Sequence, residues 1–376
     1  MKLLRLVLSR AALLLGGLIL GLLCAEVILR VFFCKPLQTE GAFTEPDPYL
    51  GWRHQANWDG RYFVEGRLVP IKFDEHGMRR GRPLAKPKPK GEKRVLFIGD
   101  SFTAAFEVPE EKTFIYRLGD RLNAAGREQW ETINGGVRGY GADQAQVWLS
   151  RKGFALEPDI VIYDFCHNDL LDNLKTKIKC TYALNGDRLG ELKLPDYDWL
   201  KRKHALKYLY VRRLWRLKGF RDRQPPRLST PESRARYQEL CKMLRDFDLE
   251  SAQWRMQAAL IRKLADECRA RGVQLYVVPS VMPFEYDDHL LELVGGDRQR
   301  DGEDPFLVHT RLKQVCDRAG VPFIDALAAL RRHYRIANRE MLWWESDNHY
   351  NERGHELMAD LLHDALSRSH ALAQGD

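Results

Sequence analysis

Short apolar runs alternate with longer amphipathic segments along most of this 376-residue chain. The apolar runs predict strands at residues 94–98, 131–134, 159–165, 273–280 and 321–325. The segments between them predict helices at about residues 111–126, 142–156, 248–271 and 305–319, and a last helix ends near residue 368. Strands that alternate with helices form a parallel sheet with helices on both faces. The sequence therefore predicts an α/β fold of three layers.

Residues 1–35 have the composition of a membrane-spanning helix. Lys2, Arg5 and Arg10 precede an apolar stretch from Ala11 to Cys34, which would be roughly 36 Å long as a helix. A cleavable signal peptide is the alternative, but the stretch is long for one and has no small-residue cleavage site. The positive charges before the stretch predict a single-pass anchor with an extracytoplasmic body, either periplasmic or at the cell surface.

Two further regions follow the anchor. Residues 36–93 contain short alternating runs, "RYFVEG" and "RLVPIKF", and a polar hinge, "KPKPKGEK", which together predict a small β segment and a linker. Residues 94–370 contain the strand–helix alternation, and an insertion at about residues 170–243 interrupts it. We expect one α/β domain over residues 94–370, preceded by a small β segment.

The net positive charge of the chain is concentrated in the insertion. Residues 201–227 contain eleven Lys and Arg against one acid, Asp222, whereas the net charge of the whole chain is +8. The segment is either an ordinary helical lid or a helix that lies on a membrane surface. Nucleic-acid binding is not expected, because the proposed compartment argues against it and no stacking motif is visible.

The cysteines do not indicate a metal site. The chain has seven Cys and no C-x-x-C pair, so we expect neither zinc nor another cofactor. An alternative metal site from Asp347, His349 and His355 lacks a short-spaced His pair on one helix. Outside the cytoplasm disulfides are permitted, and five Cys in the body would leave at least one unpaired.

Four polar clusters occur at the ends of predicted elements. "GDSF" with Ser101 follows the first strand, "NGGVRG" with Gly139 the second and "HND" with Asn168 the third, while "DNH" with Asp347 and His349 precedes the last helix. Each cluster alone is ordinary turn or capping chemistry. However, the carboxyl ends of parallel strands meet at one edge of the sheet, where ligands bind. We therefore expect the four clusters to lie together.

In this order the clusters resemble the SGNH (GDSL-type) hydrolase family over about residues 94–368, and the anchor and β segment resemble its membrane-anchored bacterial members. The resemblance implies a flavodoxin-like parallel sheet and a serine nucleophile, Ser101. It also implies an oxyanion hole from the Ser101 N–H, the Gly139 N–H and the Asn168 amide. His349 fits the base that activates Ser101, and Asp347 fits the acid that holds His349.

Two features depart from that family. Many members space the acid and the base as Asp-x-x-His, whereas this chain has Asp-x-His, which resembles the polysaccharide O-acetyltransferase branch of the fold. His167 stands where a small residue often precedes the Asn. On an extended segment, side chains two residues apart point the same way, so Asp347 and His349 are both expected to face the site.

The sequence thus predicts a membrane-anchored serine ester hydrolase that forms an acyl-enzyme on Ser101. Its expected partners are an acyl ester, either a lipid or an acylated glycan, and the membrane, through the anchor and, where they form a surface helix, residues 201–227. One alternative is an O-acyltransferase that moves an acetyl group to or from a cell-envelope polysaccharide. Another is a non-catalytic membrane-tethered scaffold, which has no need of the four clusters.

Overall fold

The computed structural model describes residues 2–32, 43–64, 67–124, 126, 128–175, 178–205, 228, 230–337, 339–344 and 347–368. The strands are β1 (Thr44–Asp47), β2 (Gly51–His54), β3 (Asp59–Val64), β4 (Arg67–Lys72), β5 (Glu92–Gly99), β6 (Gln129–Asn134), β7 (Ile160–Phe165), β8 (Thr181–Asn185), β9 (Arg188–Lys193), β10 (Gln274–Pro279), β11 (Trp343–Trp344) and β12 (Asp347–Tyr350). The helices are α1 (Lys2–Phe32), α2 (Ser101–Ala104), α3 (Phe114–Ala124), α4 (Ala142–Arg151), α5 (Asp169–Asp172), α6 (Tyr197–Ala205), α7 (Pro231–Asp246), α8 (Ala252–Arg269), α9 (Pro283–Tyr286), α10 (Asp288–Leu293), α11 (Arg298–Asp301), α12 (Val308–Ala319), α13 (Ala326–Ile336) and α14 (Glu352–Arg368). Single turns of 3-10 helix lie at Glu110–Lys112 and Gly153–Leu156.

The central sheet is parallel, with the strand order β10–β7–β5–β6. Phe323 adds a single parallel bridge to Val277 of β10, so the predicted strand at residues 321–325 is reduced to that bridge. Numbered by their order in the chain, β5, β6, β7, β10 and the Phe323 bridge are strands 1 to 5. Their order across the sheet is then 2-1-3-4-5, which is the flavodoxin-like arrangement. The predicted α/β fold is confirmed.

Burial on both faces explains why the strands are apolar throughout. Every residue of β7 is buried, and so are Val95–Ile98 of β5. β6 lies on one side of β5 and β7 on the other, so the two connections run in opposite directions across the sheet. Because both are right-handed crossovers, α3 and α4 lie on opposite faces. α3 packs against α14, and α4 packs against α8. The sheet therefore lies between two helical layers, as the alternation predicted.

The β segment packs against the body through a core of its own. β1 pairs with β2 and β3 with β4, both antiparallel, and the second pair contains the two runs that predicted strands. Ala104 and Phe106, which follow Ser101 in the chain, complete this core. Its other members come from the β segment: Phe43, Tyr62, Val64, Val69, Ile71 and Phe73. The loop behind Ser101 is thus held by the β segment.

The insertion contains the hairpin β8–β9 and the helices α6 and α7. Of the basic segment at residues 201–227, residues 206–227 lie outside the described residues. The six described cysteines are free thiols, and five of them are buried: Cys166, Cys180, Cys241, Cys268 and Cys316. The structure thus shows no disulfide among these six, and Cys34 lies outside the described residues.

Helix α1 matches the predicted anchor. Its segment Arg5–Ile28 has a mean hydropathy of 2.4 and is 6% buried. A helix of this length and composition is either a membrane span or a signal sequence.

Candidate active site

Ser101 lies at a crowded turn directly after β5. The Asp100 carboxylate accepts a hydrogen bond from the Phe102 N–H at 2.9 Å, which caps the short helix α2 that Ser101 begins. A Cβ on Gly99 would lie 2.3 Å from Thr103 Oγ1 and 2.8 Å from the Asp164 carbonyl oxygen, so only glycine fits there. The turn presents the Ser101 hydroxyl at the carboxyl end of the sheet, where the sequence predicted it.

His349 and Asp347 complete a chain of hydrogen bonds from Ser101. The Ser101 Oγ and His349 Nε2 atoms are 2.7 Å apart, and His349 Nδ1 donates to the Asp347 carboxylate. Both residues lie on β12, where the extended backbone turns residues two apart to the same side. The Phe102 ring packs on the imidazole with a centroid distance of 4.6 Å. The Asp-x-His spacing therefore supports the hydrogen bond between acid and base.

Gly139 and Asn168 line the same cleft as Ser101. Gly139 has φ +75°, and a Cβ there would lie 3.5 Å from the Trp52 ring. The Asn168 amide is near Ser101, but its Nδ2 donates to Asp100 and Asp172, each at 3.3 Å. The structure thus brings both residues to the site, with the amide N–H groups of Asn168 directed at carboxylates.

The sequence of residues 97–357 matches the model of the GDSL-like lipase/acylhydrolase family. The chain belongs to this family. It is accordingly a serine esterase, and the resemblance seen in its motifs is confirmed at the level of the family.

Several solved structures are similar to this member of the family. One is the acetyl xylan esterase AlAXEase, with 14% identity, coverage of 73% of this chain and 99% of that chain, and a TM-score of 0.40. Another is a catalytic mutant of Axe2, an acetylxylan esterase from Geobacillus stearothermophilus, with 14% identity, 74% and 95% coverage and a TM-score of 0.41. A third is a putative GDSL-like lipase from Parabacteroides merdae, with 12% identity, 75% and 99% coverage and a TM-score of 0.42. A comparison with curated protein sequences gave no match.

Sequence reasoning missed a second charged pair in this esterase, Glu107 and Arg138. Arg138 Nη1 donates to Glu107 Oε1 at 2.6 Å, and the same carboxylate oxygen lies 3.7 Å from His349 Nδ1. Glu107 follows Ser101 by six residues in the apolar stretch "AAFEV", outside the four clusters. A lone acid in a buried run is the one signal that pointed to it.

These charges set the protonation of the imidazole. Burial lowers the pKa of His349, but the carboxylates of Glu107 and Asp347 outweigh it and raise the pKa to about 9. Burial works against ionisation of Asp347, but the attraction of His349 and their hydrogen bond lower its pKa to about 2. The electrostatics thus favour a negatively charged Asp347 and a protonated His349.

A further acid lies beneath the Ser101 turn. Asp164, in β7, is bonded to the Thr103 hydroxyl at 2.9 Å and to the Ser280 hydroxyl at 2.6 Å. Burial raises the pKa of Asp164 to about 7. The carboxyl joins three elements under the Ser101 turn and does not face the cleft.

The cleft beside Ser101 has a volume of about 500 Å³. Residues of the β segment form one wall, and residues of α6 form another; the imidazole of His204 joins the two walls through the Thr44 carbonyl oxygen, 2.6 Å from Nε2. The lining is aromatic, aliphatic and cationic, and comprises Phe43, Thr44, Pro46, Gly51, Trp52, Ser101, Arg138, Gly139, Asn168, Ile178, Trp199, Leu200, Lys203 and His204. Substrate would therefore contact parts of the chain outside the sheet and its helices.

Among the described residues, the donor atoms of Glu107, Asp347 and His349 lie within 4.8 Å of one another, which is close enough to consider a metal. However, both nitrogens of His349 are hydrogen-bonded, one to Ser101 and one to Asp347, and the Glu107 carboxylate forms an ion pair with Arg138. The donor atoms of this set are thus already paired with one another, with Ser101 and with Arg138. His355, the third residue of the alternative metal site, is buried in α14 with its ring stacked on Phe114.

Proposed function

We propose that this chain is a membrane-anchored ester hydrolase that forms an acyl-enzyme on Ser101. His349 Nε2 takes the proton of Ser101 as Oγ attacks the ester carbonyl carbon, and Asp347 holds the imidazole and stabilises its positive charge. His349 then gives that proton to the departing alcohol oxygen. Water attacks the acyl-enzyme by the reverse proton path and releases the acid. The 2.7 Å contact between Ser101 Oγ and His349 Nε2 carries this proposal.

The carbonyl oxygen becomes negative during the attack and needs hydrogen-bond donors. Ser101 begins α2, so its N–H has no acceptor within the helix, and the Gly139 N–H and the Asn168 amide are the other donors we propose. For Asn168 this requires one N–H to turn from a carboxylate to the substrate oxygen. The bonds it would leave are long, at 3.3 Å.

Ser101→Ala tests the nucleophile. We expect ester hydrolysis to fall by several orders of magnitude while the protein stays folded, since Ser101 has the one hydroxyl bonded to His349 among the described residues. Ser150→Ala, which removes an exposed hydroxyl on α4, is the matched control and should keep normal turnover. Near-normal turnover by Ser101→Ala, in a preparation free of contaminating esterase, would contradict the proposal.

Acyl transfer to a sugar hydroxyl is the second candidate. The cleft of about 500 Å³ is larger than an acetyl group needs, and Trp52 and Trp199 in its lining offer flat surfaces for a sugar ring. A panel of acyl esters, assayed with and without glycan acceptors, separates the two reactions. Acylated glycan as the main product would favour transfer, and free acid in every assay favours hydrolysis.

We further propose that α1 holds the enzyme in a membrane with the body outside the cytoplasm. The positive charges before the apolar stretch support that orientation. The basic residues 201–227 would add attraction to anionic lipid, on the order of 1 kcal/mol for each one close to the surface. Reporter fusions after Cys34 test the orientation: an extracytoplasmic signal is expected, and a cytoplasmic one would overturn it.

A further inference from the structure

Two carboxylates, from different parts of the chain, face the same nitrogen of His349. Asp347 lies beside it on β12, and Glu107 Oε1 lies 3.7 Å from Nδ1 on the loop after α2. The Asp347 side chain is 24% exposed, whereas that of Glu107 is fully buried. A buried charge interacts through a lower effective dielectric constant than an exposed charge, so its attraction to a partner is stronger. Glu107 is therefore placed to affect the imidazole strongly.

The surroundings of Glu107 hold it in position. Arg138, on the loop that carries Gly139, donates to Glu107 Oε1 at 2.6 Å, and Arg79 is a second cation that interacts with this carboxylate. The backbone on either side of Glu107 is fixed by the buried guanidinium of Arg79, which donates to the carbonyl oxygens of Ala104, Ala105 and Val108. Ala105 adopts a left-handed conformation, φ 52°, within this clamp. Such a buried acid, held from two sides, has little freedom to move away from His349.

We propose that Glu107 is a second acid for His349, a positioning residue that stabilises the imidazolium formed when Ser101 is deprotonated. This inference rests on the proposed function, because it assigns the base role to His349. The proton moves from Ser101 Oγ to His349 Nε2, the Nδ1 proton stays on the ring, and Glu107 takes no proton. Glu107 thus supplies charge on the side of the ring away from the nucleophile, next to the more exposed Asp347.

The other charges around His349 do not cancel this effect. Among the described residues, the charged groups that act on the ring are Glu107 on the loop after α2, Asp347 on β12 and Arg138 on the loop after β6. The buried imidazole of His355 on α14 is a further titratable group near it, and its pKa is lowered by burial. Arg138 opposes protonation, and so does burial, yet the pKa of His349 is raised to about 9. The uncharged groups against the ring are the Ser101 hydroxyl and the Phe102 side chain. Removal of Glu107 would leave Asp347 as the remaining anion.

The first test is the pH profile of kcat/KM for Glu107→Gln on a short-chain ester. Only the neutral imidazole accepts the Ser101 proton, so activity is lost as pH falls through the pKa of His349. Loss of the Glu107 charge should move this acid limb down by roughly one pH unit or more. It should also lower the plateau kcat by up to about tenfold, the equivalent of one pKa unit, with KM little changed.

Glu92→Gln is the matched control, because Glu92 is also a buried glutamate paired with an arginine, Arg94 at 2.7 Å, at the opposite end of β5. It should leave the acid limb in place. Melting curves of both variants show whether each one is folded. A folded Glu107→Gln with the normal limb and the normal kcat would overturn the inference, while the ester hydrolase itself would still stand or fall on Ser101→Ala.

A second measurement follows the pKa of His349 by NMR of the imidazole ring in Asp347→Asn and in Asp347→Asn/Glu107→Gln. Burial and Arg138 lower that pKa in both variants, so only the difference between them reports on Glu107. If Glu107 is a charge partner, the pKa is lower in the double variant by roughly one unit or more. If the two variants give the same pKa, Asp347 was the only effective anion and the inference is wrong.

Discussion

At the scale of single residues, the Asn168 amide has two alternative roles. It either donates a hydrogen bond to the substrate oxyanion or holds its own loop through Asp100 and Asp172. If it serves the oxyanion, Asn168→Ala should lower kcat by about 100- to 1000-fold and leave KM nearly unchanged. Steady-state kinetics with a short-chain ester measure both constants. Asp172→Asn, which weakens one loop bond of Asn168 and leaves its amide in place, is the control and should have a much smaller effect. A change confined to KM would mean that Asn168 binds substrate or shapes its loop.

The buried carboxyl of Asp164, beneath the Ser101 turn, is expected to make the stability of the protein depend on pH. Its folded pKa of about 7 lies above the ordinary value of 3.8, so the folded protein binds this proton more tightly than the unfolded chain. Its contribution is therefore most favourable in acid, is lost as pH rises between the two values, and is fully lost above about pH 7. We expect Asp164→Asn to gain stability relative to the wild type over this range, by a few kcal/mol at alkaline pH.

Denaturant unfolding at a series of pH values measures this difference. The Asn side chain can bond both the Thr103 and the Ser280 hydroxyls, so the variant keeps the contacts of the neutral acid. Asp266→Asn, at an exposed acid on α8, is the control and should show no such trend. A stability difference that stays constant from pH 4 to pH 9 would show that Asp164 is ionised at neutral pH in the folded protein.

At the scale of elements, the sequence was most informative where burial is complete. Val95–Ile98 and the run ending at Phe165 predicted strands because both faces of a parallel sheet exclude polar residues. The run at residues 321–325 gave the same pattern, but it forms only the bridge at Phe323. An apolar run indicates burial, and it does not show how many ladder hydrogen bonds form.

Some residues of the site were predictable from the sequence, and others were not. Ser101, Gly139 and Asn168 follow strands, so the topology alone brings them to one edge of the sheet. Glu107 and Arg138 meet because the loop between Ala104 and Val108 folds around Arg79, a residue of the separate β segment. Nothing in the local pattern of either loop specifies that contact. Tertiary contacts between distant segments are the part of this site that a single sequence does not reveal.

The Arg79 clamp is an element-scale feature with a direct test. Arg79→Leu leaves three buried carbonyl oxygens without their donor, so we expect a loss of at least about 3 kcal/mol in the free energy of unfolding. Hydrolysis should also fall, since Glu107 lies on the released loop. Thermal and denaturant melts measure the first effect. Arg61→Leu, at an exposed arginine on β3, should change stability by no more than about 0.5 kcal/mol, and an equally small change for Arg79→Leu would refute the clamp.

At the scale of the whole molecule, the central sheet, the β segment and the insertion contribute different parts of the cleft. The strand ends supply Ser101, Gly139 and Asn168, whereas the cleft walls come from the β segment and α6. A fold of this kind supports many reactions, and the walls decide which acyl and alcohol groups fit. Substrate choice in this esterase should therefore change with substitutions in the walls, such as Trp52 or Trp199, while the hydrogen bonds of Ser101 stay intact.

The same division predicts how far the chain can be shortened. Removal of residues 1–42 deletes α1 and keeps every residue that lines the cleft, so the protein should enter the soluble fraction and hydrolyse a short-chain ester as the full chain does.

Removal of residues 1–91 also deletes Phe43, Trp52 and Arg79, which exposes Phe106 and frees the loop behind Ser101. That shorter chain should lose its activity and its cooperative melt. Fractionation without detergent, near-UV circular dichroism and an esterase assay compare the two. If the shorter chain folds and works equally well, the β segment is not part of the catalytic body. If the longer one stays in the membrane fraction, α1 is not the only contact with the bilayer.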